Sequence, residues 1–340
     1  MITAPTSLRP VFDHLARLTD DRALFEHALH TDPRPEHGYC IDDAARALAV
    51  ICRESDPSTQ LVELTERYLS FTLSAVQPDG SCHNRMNVAG NWTDASGVGD
   101  WWGRALWGLS AAACRAPTSD MRARALTGFR LAAARRSPHQ RAMTFAALGA
   151  GELLLARPGE ASARTLLRDC VTAIGPASVD PAWPWPQPRL TYANGSVVEA
   201  LLLAGQVLAD GGIGVQALTL LEFLLATETH DGHLSVTPVG GRGPGERPPA
   251  FDQQPIEVAT LADACARAFE VTGDSRWLEG VRSAWSWFLG NNDSMTLMYD
   301  PTTGGGYDGL ERGGRNANQG AESTLAVLST HQHVHRLVHG

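Results

Sequence analysis

Apolar residues recur three and four positions apart through most of the chain, the spacing of a helix that buries one face. Leu8, Val11, Phe12, Leu15 and Leu18, then Leu24, Phe25, Ala28 and Leu29, predict one helix or two abutting ones over 8–30, interrupted at Asp20-Asp21. A helix is expected from Asp42 to about Cys52, and another over 59–76 with Leu61, Leu64, Tyr68 and Leu69 inward. Others begin at Asp100, near 118, at His139 and at Gly159. The remainder cover 197–208, 213–227, 255–271, 275–290 and 325–337. Between Gln77-Pro78-Asp79-Gly80 and Val88-Ala89-Gly90-Asn91-Trp92 the pattern reads as a short hairpin-like excursion.

The connections fall into two alternating classes. Short, bland turns such as Arg157-Pro158-Gly159 and Gly273-Asp274 alternate with long segments rich in His, Asp, Glu, Trp and Gln. The long ones end near residues 42, 101, 139, 193, 255 and 319, where six helices start. Elaboration on one class of connection places it all at one end of the molecule. About twelve helices in six antiparallel pairs close naturally into a ring, so the expected fold is an all-α (α/α)6 toroid with short β-hairpins in the loops at one mouth. The whole chain, 1–340, is expected to form this single domain, with the first helix sealing the ring against the last inner one.

Composition narrows the partners. Net charge is −9, and all 28 basic residues are Arg with no Lys. An acidic chain without a basic run does not suit nucleic acid or an anionic membrane. The missing Lys removes Schiff-base chemistry and a Walker-type phosphate loop. Six cysteines lie far apart without a C-x-x-C pair, most of them in apolar helical patterns where a thiol serves as a small hydrophobe. No membrane-length apolar run or charged-then-apolar leader is present, so a cytoplasmic protein is the default expectation. The tail histidines His331, His333, His335 and His339 split across helix faces, and no metal or other cofactor is expected.

In a toroid the six polar segments meet at one cavity. They deliver acids, amides, indoles and guanidiniums, the set that grips hydroxyl-rich ligands: indole faces stack on sugar C–H faces, and amides and carboxylates bond hydroxyls in fixed geometry. Asp43 and Glu322 are the first candidates for an acid/base pair, with Asp42, Asp100, Asp252 and Glu257 in reserve. Candidate substrate contacts are His37, Trp101, Trp102, Arg104, Trp185, Tyr192, Asn194, Gln253, Gln254, Asp308, Asn318 and Gln319. Asp42 and Asp43 also suit the first turn of a helix as caps, and Trp107 suits the core. Helix N-termini pointing into the mouth are expected to keep nearby carboxylates ionised.

Four runs carry a resemblance: His37-Gly38-Tyr39-Cys40-Ile41-Asp42-Asp43-Ala44-Ala45-Arg46-Ala47-Leu48, Gly103-Arg104-Ala105-Leu106-Trp107, Phe251-Asp252-Gln253-Gln254-Pro255-Ile256-Glu257 and Asn318-Gln319-Gly320-Ala321-Glu322-Ser323-Thr324. They resemble a bacterial (α/α)6 family often encoded beside, or fused to, glycosyltransferases and mannoside-active enzymes. Tyr192-Ala193-Asn194 departs from the Tyr-Asp-Asn of many relatives, so no essential acid is expected there. The resemblance implies a carbohydrate substrate. Glycoside hydrolysis of an oligosaccharide or glycoconjugate, mannosides first, is the leading expectation. The alternatives are a non-catalytic carbohydrate-binding accessory protein, an epimerase or isomerase like the N-acylglucosamine 2-epimerases, and a lyase using Arg104, Arg141 and Arg315. A glycosyltransferase is disfavoured, since no strand–Gly-loop–helix pattern or D-x-D site is present.

Overall fold

A computed structural model describes residues 9–338; Leu8 and His339 lie outside the described residues. Twelve α-helices dominate: α1 (Asp13–Arg17), α2 (Ile41–Ile51), α3 (Thr59–Ala75), α4 (Asp100–Arg115), α5 (Ser119–Ala132), α6 (Gln140–Ala156), α7 (Ala161–Ile174), α8 (Asn194–Leu208), α9 (Gly211–Thr227), α10 (Pro255–Thr272), α11 (Arg276–Phe288) and α12 (Ala321–Val338). The even-numbered helices pack each on the next, and α12 returns to α2. Helices α3, α5, α7, α9 and α11 lie outside, each against the inner helix before it. The fold is an (α/α)6 toroid.

The β-structure is confined to pairs of two or three residues. Strands β1 (Ala28–Leu29) and β2 (Asp32–Pro33) pair antiparallel, as do β5 (Thr229–His230) with β6 (His233–Leu234) and β7 (Gly309–Glu311) with β8 (Gly314–Asn316). The 77–99 excursion is less self-contained than its pattern suggests. Its strand β4 (Arg85–Met86) pairs with β3 (Tyr39–Cys40), so it is sewn to the segment that enters α2. All these strands lie in connections that lead into inner helices.

The helix expected over 8–30 is mostly absent. Only α1 forms, packing on α12 with His14 and Leu15 buried. The Asp20 carboxylate accepts the backbone N–H groups of Arg22 and Ala23, and Asp20 N–H donates to the Ala23 carbonyl. This turn competes successfully with helix continuation. Leu18, at the end of α1, and Leu24, Phe25 and Ala28, beyond it, still reach the core, the last three without a helix face.

The inner ring owes its tightness to small residues. A methyl group on Gly108 of α4 would stand 2.5 Å from the Ala45 carbonyl oxygen of α2, and one on Gly149 of α6 would stand 2.7 Å from the Leu106 carbonyl oxygen of α4. Gly103 abuts Ala142, and Gly195 abuts Thr260, in the same way. Backbone therefore meets backbone around the ring. Larger buried side chains come from the outer helices or reach them, among them Phe129, Trp277, Trp287, Phe288 and Trp102, whose indole N–H donates to Ala132 of α5.

The two sets of helices also start differently. Three of the five outer helices cap themselves, α7 and α11 being the exceptions: Ser58 accepts from Leu61 N–H, Thr118 from Met121 N–H, and Asp210 from Gly212 and Ile213 N–H. No inner helix from α2 to α10 has such a cap. Three inner starts are capped from elsewhere instead. Asn84 accepts Ile41 N–H, Glu257 accepts the N–H groups of Ala193 and Asn194, and Asp308 accepts Gly320 N–H.

Replacing Gly108 with Val should destabilise the protein by ~1–3 kcal/mol through overpacking, read as a lower urea midpoint with unchanged slope. Gly159→Val, where nothing lies within 4 Å of an added methyl, is the control and should stay within about 0.5 kcal/mol of the parent.

Candidate functional site

The N-termini of the inner helices share one face of the ring, and a belt of polar contacts runs round it. Arg46 of α2 is its centre: Nη1 donates to Asp43 Oδ1 at 3.0 Å and Nη2 to Glu322 Oε2 of α12 at 2.8 Å. Asp43 is only 4 % exposed, whereas the Glu322 side chain is 38 % exposed. Two oxygens on one guanidinium stand on the order of 8 Å apart or closer. Next along the belt, Asp42 accepts from Arg104 Nη1 of α4 at 2.8 Å and from Asn84 Nδ2 at 3.1 Å. Arg104 lies 4.3 Å above the Phe145 ring and 6.0 Å from that of Tyr192, while Arg141 of α6 lies 5.2 Å from the Tyr192 ring. Arg141 donates to the Ala193 carbonyl and the Thr191 hydroxyl, and Glu257 then takes the start of α8.

Burial decides the electrostatics here. It pushes the Asp43 carboxyl up to about 7, helped by the charges of Glu322 and Glu26 and opposed by Arg46. It raises Asp100 against the pull of Arg104, and carries Glu257 to about 8 with help from Glu228. The same desolvation brings Arg141 down to about 10. Helix N-termini thus do not keep Asp43 and Glu257 in the ordinary carboxylate range as expected, and Asp100 is raised as well; loss of hydration outweighs them. The Cys40 thiol, buried beside Asp43, is raised well above its ordinary value and donates to Asp43 Oδ2 at 3.2 Å.

Not every sequence candidate faces the mouth. Trp102 and Trp185 are buried and offer no face to a sugar; the Trp102 indole N–H donates to the Ala132 carbonyl. Trp101 is half-buried, its N–H bound to the Cys82 carbonyl, and pins the 77–99 loop. Gln253 is buried, donating to Asp293 and accepting from the Trp287 N–H, so it braces loops rather than meeting ligand. Asn194 is buried between Thr191 N–H and Glu257, and Gln319 is buried with its carbonyl against His14. Asp308 caps α12 through Gly320 N–H and the Ser323 hydroxyl, and Asn318 Oδ1 accepts His30 N–H. Asp252 is exposed and Gln254 partly so, both just before α10. His37 lies on the exposed rim, its ring edge-on to His27 at 5.0 Å.

Sequence reasoning missed Arg46, Glu26, Arg85 and Asn84. Arg46 had a signal, since it lies three residues after Asp43 on a helix, the spacing of an ion pair. Glu26 and Arg85 pair across 59 residues and carry no local mark. Glu26, Cys40 and Asp43 bring one ligand atom each to within 4.8 Å of one another. Arg85 and Arg46 already contact the two acids, and the thiol keeps its proton, so the trio suits a hydrogen-bonded cluster better than a cation.

Comparison with known proteins yields fold without family. No protein-family model and no curated protein matches the sequence. Solved structures do match, at low sequence identity. A sugar epimerase from a ruminal bacterium superposes with a TM-score of 0.70 at 15 % identity, covering 97 % of this chain and 96 % of that one. Cellobiose 2-epimerase from Bacillus thermoamylovorans gives 0.71 at 11 % identity over 94 % and 95 %. A C. cellulolyticum cellulase in complex with cellobiose gives 0.65 at 9 % identity over 93 % and 88 %. These likenesses establish the toroid. Among the described residues no helix is long and apolar enough to cross a membrane.

The raised Asp43 carboxyl has a sign that can be checked. A carboxyl whose folded value exceeds its unfolded one favours the folded state at low pH, and that contribution is lost as pH rises from about 4 through about 7. The stability of Asp43→Asn relative to the parent should therefore climb with pH over this window and level off above it, as followed by urea unfolding at each pH.

Proposed function

We propose that this chain is a carbohydrate-active enzyme, and specifically a glycoside hydrolase working at the N-terminal mouth. The observation that carries the reading is the pair of carboxyls on Arg46, one buried and raised to about 7, the other at the rim. Unequal environments are what separate an acid from a base. Asp43 keeps its proton near neutrality and can deliver it to a leaving glycosidic oxygen. Glu322, reachable from solvent, serves as nucleophile or as base toward water. Their separation of roughly 8 Å or less overlaps the ~5–9.5 Å window that covers both retaining and inverting enzymes. Arg46 holds the two carboxyls in register and stabilises the ionised form that each takes in turn. Tyr192, backed by Arg104 and Arg141, is the aromatic surface available to a sugar ring. Solved toroids whose names include cellulases support the reading by fold analogy alone. Mannosides are the first substrates to try, and the ring 1–340 acts as one cytoplasmic domain.

A second reading has its own support. His27 and His37 face each other 5.0 Å apart on the same rim, His27 beside Glu26 at 3.7 Å, and several of the matched toroids are named as sugar epimerases or isomerases. Two imidazoles can take a proton from one face of an opened sugar and return it on the other. This reading predicts an isomeric sugar with every glycosidic bond intact.

Asp43→Asn and Glu322→Gln should each reduce release of reducing sugar from a cleaved mannoside by ~10²–10⁴-fold while glycan binding persists. The parent rate should fall as pH rises through about 7, because the acid must carry its proton. Full rate in both variants removes the hydrolase assignment. Loss of isomerisation in His27→Ala and His37→Ala, followed by NMR of the product sugar, would favour the second reading.

A further inference from the structure

Among the described residues four arginines are buried: Arg46, Arg104, Arg141 and Arg242. Three have strong partners. Arg46 and Arg104 bond carboxylates, and Arg242 donates to the backbone carbonyls of Thr227, Ser235 and Val236. Arg141 of α6 is the exception. It pairs with no carboxylate, and its two acceptors, the Ala193 carbonyl at 3.1 Å and the Thr191 hydroxyl at 3.0 Å, are both uncharged. Each takes one N–H from a different Nη, so Nε and one N–H on each Nη are left without an acceptor. The unmatched Nε is not sealed off, and the guanidinium lies near the half-buried Tyr192 ring, beside the exposed Thr191. Two acids face it. Glu257 is occupied by three N–H groups at the start of α8, and half-buried Asp100 of α4 bonds to neither Arg141 nor Arg104.

We propose that the sugar bound at the mouth carries a carboxylate, as a hexuronic acid does, and that Arg141 is the residue that selects it. This rests on the reading of the mouth as a carbohydrate site. A buried guanidinium without a counter-charge is costly, and neutral hydroxyls would satisfy its N–H groups but not its charge. A carboxylate does both, because its two oxygens match the planar fork of a guanidinium. A sugar ring on the Tyr192 face lies next to Arg141, whose guanidinium is 5.2 Å from that ring. The start of α6 has no side-chain cap and adds positive potential there. A phosphate fits less well: one uncommitted guanidinium balances a monoanion, while a dianion would leave excess negative charge beside Asp42 and Asp100. Asp100 is the one acid that competes with the incoming carboxylate for Arg141.

D-mannuronate, D-glucuronate and D-galacturonate, each titrated calorimetrically into the full chain beside its neutral hexose, test this directly. At least one uronate should bind about tenfold or more tightly than its hexose. Arg141→Met should bring that ratio to about one, and Arg141→Lys, which keeps the charge without the fork, should give an intermediate value. Asp100→Asn should raise the ratio, since it removes the competing charge while leaving the bonds of Arg141 to Thr191 and Ala193 in place. In the parent protein, no uronate bound at about 10 mM, or no ratio above about two, overturns the proposal without recourse to any variant. An undiminished ratio in folded Arg141→Met does the same, as does tighter binding of the hexose 6-phosphate than of the uronate. A uronate preference without cleavage of the corresponding glycosides supports this inference and removes the hydrolase assignment. Cleavage of neutral mannosides without that preference does the reverse.

Discussion

The backbone-to-backbone contact of the inner helices is the constraint on which everything else rests. Gly103, Gly108, Gly149 and Gly195 let successive inner helices touch without intervening side chains. Six helices so close together cannot fill the ring with large apolar residues, and so the bulky aromatics go to the outer layer. What remains on the axis is polar. Each end of the ring becomes a place where charged groups from many repeats are forced together and partly stripped of water.

That enforced meeting accounts for the charge pattern at both ends. At the mouth, Arg46 ties α2 to α12 through Glu322, and so closes the ring between residues 276 apart. At the far end, Asp263 of α10 accepts from Arg53, just past α2, and from Ser329 and His333 of α12, so α10 joins the same two neighbours there. These contacts lower Asp263 despite its burial, while Asp43 and Glu199, with fewer donors each, are raised. Donor count alone does not decide it, since Glu257 accepts three N–H bonds and is still raised; in Asp263 the Arg53 charge and the bonds from His333 and Ser329 together outweigh burial. A ring of this design produces carboxyls of opposite protonation within a few residues of one another, a useful starting point for acid/base chemistry.

Polar loop residues divide between two tasks that look identical in sequence. Glu257, Asp308 and Asn84 supply caps that the inner helices lack, and Gln253 braces one loop against another. Glu322, Asp42 and Tyr192 keep some exposure at the mouth, with Asp43 and Arg104 buried beneath them and paired to Arg46 and Asp42. A carboxylate that caps a helix has spent its lone pairs on N–H groups and is poorly placed to act on a substrate. Where Glu257 of α10 caps α8, and Asn84 of the loop before α4 caps α2, the cap also ties neighbouring repeats together.

Much of this was legible in the chain alone. Periodicity located eleven of the helices near their observed ranges, and the alternation of bland and ornate connections implied which ends share a face, because that alternation is itself a property of helix pairs in a ring. The failures have physical causes. Residues 8–30 carry helical spacing, yet the Asp20 carboxylate makes a turn that periodicity does not register. Trp102 and Trp185 read as sugar platforms, since an indole looks the same whether it faces solvent or core. Residue types and their order determined the elements, their pairing and the inventory of polar groups near each mouth. Only the tertiary structure decided which groups pair, because Arg46 with Glu322, Glu26 with Arg85 and Asn194 with Glu257 join residues dozens to hundreds apart. Protonation was decided there too, since it follows from burial and from the charges and donors nearby, and neither is a property of any stretch of sequence.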